Sequence, residues 1–246
     1  MEAREIDEMR RLEDRHWWFV GKRLLVAALL GDTLTRSGLR VLDVGCGTGG
    51  VLAGLGGGIR PFGVDRSTLA LAHCRARGLT AVACSSAGDL PFAAGSFDVV
   101  MLLDVLEHFA DEQRLLAEIR RLVRTGGRVL VSVPAFQFLW SQHDAVLHHI
   151  RRYRAGQLRR VLEQGRFTIE RLTYTNAVAF PPAVLVRGIL QRFGLMAGEG
   201  GTDFREHGAL VNDSLVGAYR LEAAALARGL RVPVGLSVAA VARVDA

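Results

Sequence analysis

From residue 39 to 134 short apolar runs alternate with segments of helical periodicity, a rhythm that predicts strands joined by helices. The runs at 40–44, 61–64, 80–84, 97–103 and 128–133 are rich in Val and Leu, as strands buried on both faces require. Such strands form a parallel sheet with helices on both sides, because each crossover must return the chain to the same end. Between the fourth and fifth runs, Leu115, Leu116, Ile119, Leu122 and Val123 fall at helical spacing, and Thr125, Gly126 and Gly127 end that helix.

After Pro134 the rhythm changes to a loop rich in His and Arg, a short helix near 157–163 and an extended run over 167–175. A second extended run at 235–244 predicts that the last two strands pair as an antiparallel hairpin. Their connection, 176–234, is too long for a bare loop and carries helical patterns at 183–193 and 209–230. It reads as a helical lid or an oligomerisation element. The expected architecture is one α/β domain over 1–246, with a doubly wound, seven-stranded, mostly parallel sheet, a C-terminal antiparallel hairpin and a helical insertion.

At 246 residues and 50% hydrophobic content the chain can bury one generous core. The net charge of +6 raises the question of a polyanion, but Lys22 is the only lysine, so the excess reflects a general arginine bias. With no aromatic-basic motif, nucleic acid is not the expected partner, although RNA methylation stays open. Cys46, Cys74 and Cys84 are odd in number and lack metal-ligand spacing, which suits a reducing, cytoplasmic setting. Mixed charges at Glu2, Glu5, Asp7 and Glu8 do not resemble a secretory signal. The apolar stretch 177–186 is broken by Pro181 and Pro182 and stopped by Arg187, well short of the ~20 residues of a membrane span. Peripheral membrane contact and a homodimer both remain open.

The chemistry starts at the first strand, where Val41, Leu42 and Val44 lead into Gly45, Cys46, Gly47, Thr48, Gly49 and Gly50. Such a turn lets a ligand approach bare backbone and then opens a helix whose amides face it. Gly45, Gly47 and Gly50, with Asp65 further on, also satisfy the dinucleotide fingerprint, so a nicotinamide oxidoreductase is one reading. Asp43 separates the two, because a carboxylate beside the loop repels a pyrophosphate and attracts an ammonium or sulfonium. That favours S-adenosylmethionine.

With these residues the chain resembles the class I S-adenosylmethionine-dependent methyltransferases, in a type 11/12-like subgroup with a Rossmann-like sheet. The resemblance implies that Asp43, Gly45, Cys46, Gly47, Thr48 and Gly49 cradle the methionine part, and that Asp65, with Arg66 beside it, holds the ribose hydroxyls. The run Leu90-Pro91-Phe92 followed by Gly95 to Val100 is similar to the family's approach to the fourth strand. By that resemblance Ser86 and Ala87 meet the adenine, Ser86 standing where the family has an acid, and Leu103 and Asp104 reach the cofactor's other side. The helix within 1–30, with His16-Trp17-Trp18-Phe19, also resembles one that covers the cofactor. Trp17 or Trp18 would then lie over the sulfonium and Arg23 near its carboxylate, or the indoles serve as packing anchors.

Two clusters at the carboxyl edge offer a base for the acceptor: Asp104, Glu107 and His108 after the fourth strand, and His143, Asp144, His148 and His149 after the fifth. His108 is favoured, because imidazole titrates near neutrality. It is also counted among the cofactor-side residues. Trp140, His143, Arg151, Arg152 and Tyr153 resemble a subgroup signature after the fifth strand, and five arginines in 151–160 suggest a small anionic acceptor. The alternative is that Arg151, Arg152 and Tyr153 pin the loop to acidic neighbours. His143, Asp144 and His148 have metal-ligand chemistry without a recognised spacing, so no metal is expected. The function so reached is methyl transfer to oxygen or nitrogen of a small polar or anionic molecule; the alternative is a catalytically inactive cofactor-binding subunit.

Overall fold

In the computed structural model residues 3–190 and 208–245 are described. Seven strands, β1 (Arg40–Val44), β2 (Arg60–Asp65), β3 (Val82–Cys84), β4 (Phe97–Leu103), β5 (Val123–Pro134), β6 (Thr168–Thr175) and β7 (Ser237–Arg243), form one sheet in the order β3-β2-β1-β4-β5-β7-β6. The first five run parallel, and β7 pairs antiparallel with both β5 and β6. The order reverses between β1 and β4, and at that switch point the carboxyl ends of two neighbouring strands open a crevice.

Because side chains alternate across a strand, each central strand feeds two cores. Leu42, Val44, Val100, Leu102, Val129 and Val131 pack on one face, with Leu115, Leu116 and Ile119 of α5 (Glu112–Leu122) and Leu158 and Leu162 of α7 (Ala155–Gln164). Val41, Val99, Met101, Leu103 and Leu130 pack on the other, with Leu25, Val26, Leu29 and Leu30 of α2 (Trp17–Leu34) and Leu71 and Cys74 of α4 (Thr68–Ala76).

The expected N-terminal helix is two helices, α1 (Ala3–Leu12) and α2, because the chain turns at 13–16 and His16 caps α2 by accepting from the Trp18 amide. The connection from β6 to β7 holds a short helix Phe180–Ala183, a π-helical segment Val184–Leu190 and the long helix Ala209–Ala227. The central part of the expected insertion, 191–207, including the end of the helix expected at 183–193, lies outside the described residues. The helix Ala209–Ala227 lies along α2: a Cβ on Gly21 would come within 2.6 Å of the Tyr219 ring, so the glycine permits the close approach. Asn212 ties the two together, its Oδ1 accepting from the Trp17 amide at 2.9 Å and its Nδ2 donating to the Arg15 carbonyl at 3.1 Å. Among the described residues no helix is long and apolar enough to cross a membrane.

Candidate functional site

Strand β1 ends in a loop whose three glycines, Gly45, Gly47 and Gly49, have φ of +77°, +54° and +83°, a backbone that side-chain-bearing residues rarely adopt. The Gly45 and Cys46 amides donate to the Val64 carbonyl at 2.7 and 3.0 Å, fixing the loop against β2. Asp43 lies just before it, 3% exposed, and its buried Oδ1 has no hydrogen-bond partner. Burial pushes this carboxyl up to about 8; Lys22 opposes the shift, and Asp65 and Glu13 add to it. A buried acid in this state lacks a cation. At the end of β2 the Asp65 carboxylate accepts from the Gly47 amide at 2.9 Å and the Ser67 amide at 2.8 Å. Each oxygen keeps acceptor capacity for a hydroxyl.

The N-terminal segment closes over this loop. Glu13, buried at 6% exposure, accepts from the Gly50 amide at 2.7 Å, from the Thr48 hydroxyl and from Arg77 at 2.9 Å. Lys22 pairs with Asp104, a residue at φ +57° just past β4, and its ammonium lies 5.3 Å from the Trp18 ring centre. Trp17 packs edge-on to Trp18 and 6.0 Å from Tyr219. Arg23 departs from expectation: its guanidinium donates to the Glu13 carbonyl at 2.7 Å and the Asp14 carbonyl at 3.1 Å, which fastens the turn between α1 and α2. Lys22, and not Arg23, is therefore the cation of this helix that reaches the end of β4. On the far side, Ser86 sits exposed in the turn after β3, Ala87 packs against the core, Arg66 is exposed and Leu103 is buried.

After β5 the loop residues converge on a buried ion cluster. Arg152 grips Asp144 with two hydrogen bonds of 2.8 Å, His149 Nδ1 lies 2.9 Å from Asp144 Oδ1, and the Ser141 amide donates to Asp144 Oδ2 at 2.9 Å. Burial works to raise the Asp144 carboxyl, but the His149 and Arg152 hydrogen bonds outweigh it and hold the group well below the usual range. Asp144 is thus a locked anion and not a base, which corrects that expectation. His143 is held neutral, down to about 4, by burial and by Arg187. His148 is an exposed turn residue at φ +57° whose carbonyl faces His108 Nδ1 at 3.2 Å.

The arginine-rich run also departs from the acceptor-binding reading. Arg151 pairs with Glu112 at 2.9 Å and donates to the Ala110 carbonyl, Arg152 is consumed by Asp144, and the buried Tyr153 hydroxyl donates to Glu112. These three bind the loop to the body of the protein. Trp140 is half-buried beside them. The loop also brings His149 to Glu107, with Nε2 3.8 Å from Oε1. Glu107 is fully buried and neither carboxylate oxygen has a hydrogen-bond partner. Sequence spacing concealed Glu13 and the Glu107–His149 pairing, since each joins residues distant along the chain. Just past β6, the Asn176 side-chain amide is buried and likewise unpartnered.

An S-adenosylmethionine molecule fits these groups. Its cationic ammonium and sulfonium match the uncompensated Asp43, the glycine turn leaves backbone bare for the methionine part, and Asp65 retains acceptors for two ribose hydroxyls.

Comparison with known proteins agrees with this geometry. Residues 42–131 match the family model described as methyltransferase domain. A Xenopus tropicalis protein named tRNA (carboxymethyluridine(34)-5-O)-methyltransferase alkbh8 is 39% identical over 113 residues, covering 44% of this chain and 18% of that one. A Mycolicibacterium smegmatis protein named "Probable S-adenosylmethionine-dependent methyltransferase" is 30% identical over 165 residues, covering 65% of this chain and 62% of that one. The chain thus spans less than two thirds of either relative. A chain from the complex of the Haloferax volcanii Trm112 methyltransferase activator shares the fold, with a TM-score of 0.61 and 20% identity over 99% of this chain and 95% of that chain. The matched segment 42–131, the sheet order and the buried acid beside the glycine turn together support a class I S-adenosylmethionine-dependent methyltransferase.

Proposed function

We propose that this protein transfers a methyl group from S-adenosylmethionine to an oxygen or nitrogen of a polar acceptor held at the carboxyl edge of the sheet. The observation that carries this reading is the buried, unpartnered Asp43 beside a left-handed glycine loop, with Asp65 at the next strand end. The bound cofactor supplies a methyl group on a cationic sulfur that leaves as a neutral thioether. The protein then has to align the acceptor and handle its proton, and alignment carries much of the rate. His108 is an exposed imidazole at that edge; burial of part of its ring and the neighbouring His149 lower its pKa, so it is neutral near pH 7. With Nδ1 facing the His148 carbonyl, Nε2 keeps a lone pair for a proton.

The acceptor class is open between a small molecule and a nucleic acid. The intramolecular pairing of Arg151 and Arg152 removes the reason for requiring an anionic small molecule. The Xenopus relative's name favours tRNA as the second reading. Methyl transfer from labelled cofactor should be followed with a panel of small alcohols, amines and carboxylic acids and, in parallel, with unmodified bulk tRNA. Label in small-molecule product supports the first reading and label in tRNA the second; transfer to neither class by protein that binds the cofactor would leave the inactive-subunit alternative standing.

A further inference from the structure

We propose that Glu107, His108 and His149 form a binding site for one divalent transition-metal ion at the carboxyl edge of β4. Their side-chain ligand atoms all lie within 4.8 Å of one another, so side-chain rotations that draw each atom inward by up to about 0.8 Å bring the set to bond lengths of ~2.0–2.2 Å. The wiring around them sets the lone pairs. His149 Nδ1 lies 2.9 Å from the Asp144 carboxylate, which also accepts two hydrogen bonds from Arg152, so Nδ1 donates to it and Nε2 presents a lone pair toward Glu107. His108 Nδ1 lies 3.2 Å from a backbone carbonyl, which can only accept, so its Nε2 is likewise free to ligate. A carboxylate or carbonyl behind each imidazole is the outer shell that orients metal-bound histidines. The two rings stand 4.8 Å apart, close to perpendicular.

Glu107 supplies the independent observation. Its carboxylate is fully buried, neither oxygen accepts a hydrogen bond, and the His149 Nε2 atom that faces it lies at 3.8 Å, beyond hydrogen-bond reach. A buried carboxylate left without a hydrogen bond or counter-charge is unfavourable, and a cation between it and two imidazoles removes the penalty. Two nitrogens and one carboxylate select a first-row metal such as zinc over magnesium, which favours oxygen ligands. His108 is exposed, so an ion here keeps a coordination position open to solvent. On the methyl-transfer reading, that position would take the acceptor hydroxyl, and the metal would ease loss of its proton to water in place of direct abstraction by His108.

The test uses the full chain freed of metal by dialysis against chelator and titrated with cobalt(II), whose visible d–d absorption reports ligand field. One equivalent should bind, without the near-ultraviolet thiolate bands that Cys46, Cys74 or Cys84 would give, and zinc should displace it. Glu107→Gln and the exposed-site variant His108→Asn should each weaken binding by about tenfold or more, while Cys84→Ser leaves it unchanged. Absence of the d–d spectrum at millimolar cobalt, or binding indifferent to His108→Asn in a variant with native circular dichroism, overturns the proposal. Binding of S-adenosylhomocysteine on the same metal-free preparation is read separately, so failure of the metal site and failure of the methyltransferase reading remain distinct.

Discussion

The Glu13 carboxylate accepts a hydrogen bond from the Gly50 amide at 2.7 Å, tying the turn between α1 and α2 to the first residue of the helix that follows the glycine loop. The same carboxylate meets Arg77, whose guanidinium also reaches Asp14 at 2.8 Å, so one acid links the N-terminal segment, the loop and α4. Glu13→Ala should therefore cost about 2–3 kcal/mol, the scale of hydrogen bonds to a buried charge. Urea unfolding should show a lower midpoint with an unchanged slope. A midpoint equal to wild type would mean that the N-terminal segment is not fastened to the loop.

Asp65→Ala removes the acceptor expected to serve both ribose hydroxyls. Two charge-assisted hydrogen bonds are at stake, so affinity for S-adenosylhomocysteine should fall by about 10- to 100-fold or more. Calorimetry on the two proteins checks this, and equal dissociation constants would remove the ribose assignment.

Asp43 gives a pH signature. Its carboxyl, raised to about 8, is protonated near neutrality in the cofactor-free protein but ordinary, near 3.8, in the unfolded chain. Between those values the native state holds the extra proton, so this group's contribution to stability falls as pH rises from about 4 toward 8 and then levels. A cationic ligand favours the ionised form, so binding of S-adenosylmethionine near pH 7 should release up to one proton. Titrations in buffers of different ionisation enthalpy measure that release, and Asp43→Asn should abolish it.

Arg151 and Arg152 are neighbours with opposite expectations. Arg152 is buried on a buried Asp144, so Arg152→Ala strands a charge and should cost about 3–5 kcal/mol. Arg151 is one-third exposed in its pair with Glu112, and Arg151→Ala should cost about 1 kcal/mol or less. Thermal unfolding of both variants tests the contrast; a raised KM in Arg151→Ala at unchanged stability would restore that residue to acceptor binding.

Much of the fold was legible because its signals are local. The run at 97–103 coincides with β4, Phe97–Leu103, since a strand covered on both faces has to be apolar throughout. The antiparallel hairpin was readable from two extended runs joined by an overlong connection. The buried acid beside the glycine turn was readable too, because Asp43 and the glycines are contiguous. The acceptor side was not. Arg152 looks like an anion hook until Asp144 is folded onto it, and Glu107 and His149 meet only when α5 and β5 carry the chain back to the same edge. Pairings of that kind leave no periodicity behind. Glu13 was hidden for the same reason, as one acid in a charged amphipathic stretch whose partner amide lies past β1.

The central claim is that the Asp43 loop and Asp65 hold S-adenosylmethionine. Isothermal calorimetry of the full chain with S-adenosylhomocysteine tests it most directly, with NAD as the competing ligand. One site per chain is expected for the former, weakened in Asp65→Ala, and no heat with NAD. Saturable binding of NAD, or no binding of S-adenosylhomocysteine at millimolar concentration, would contradict it.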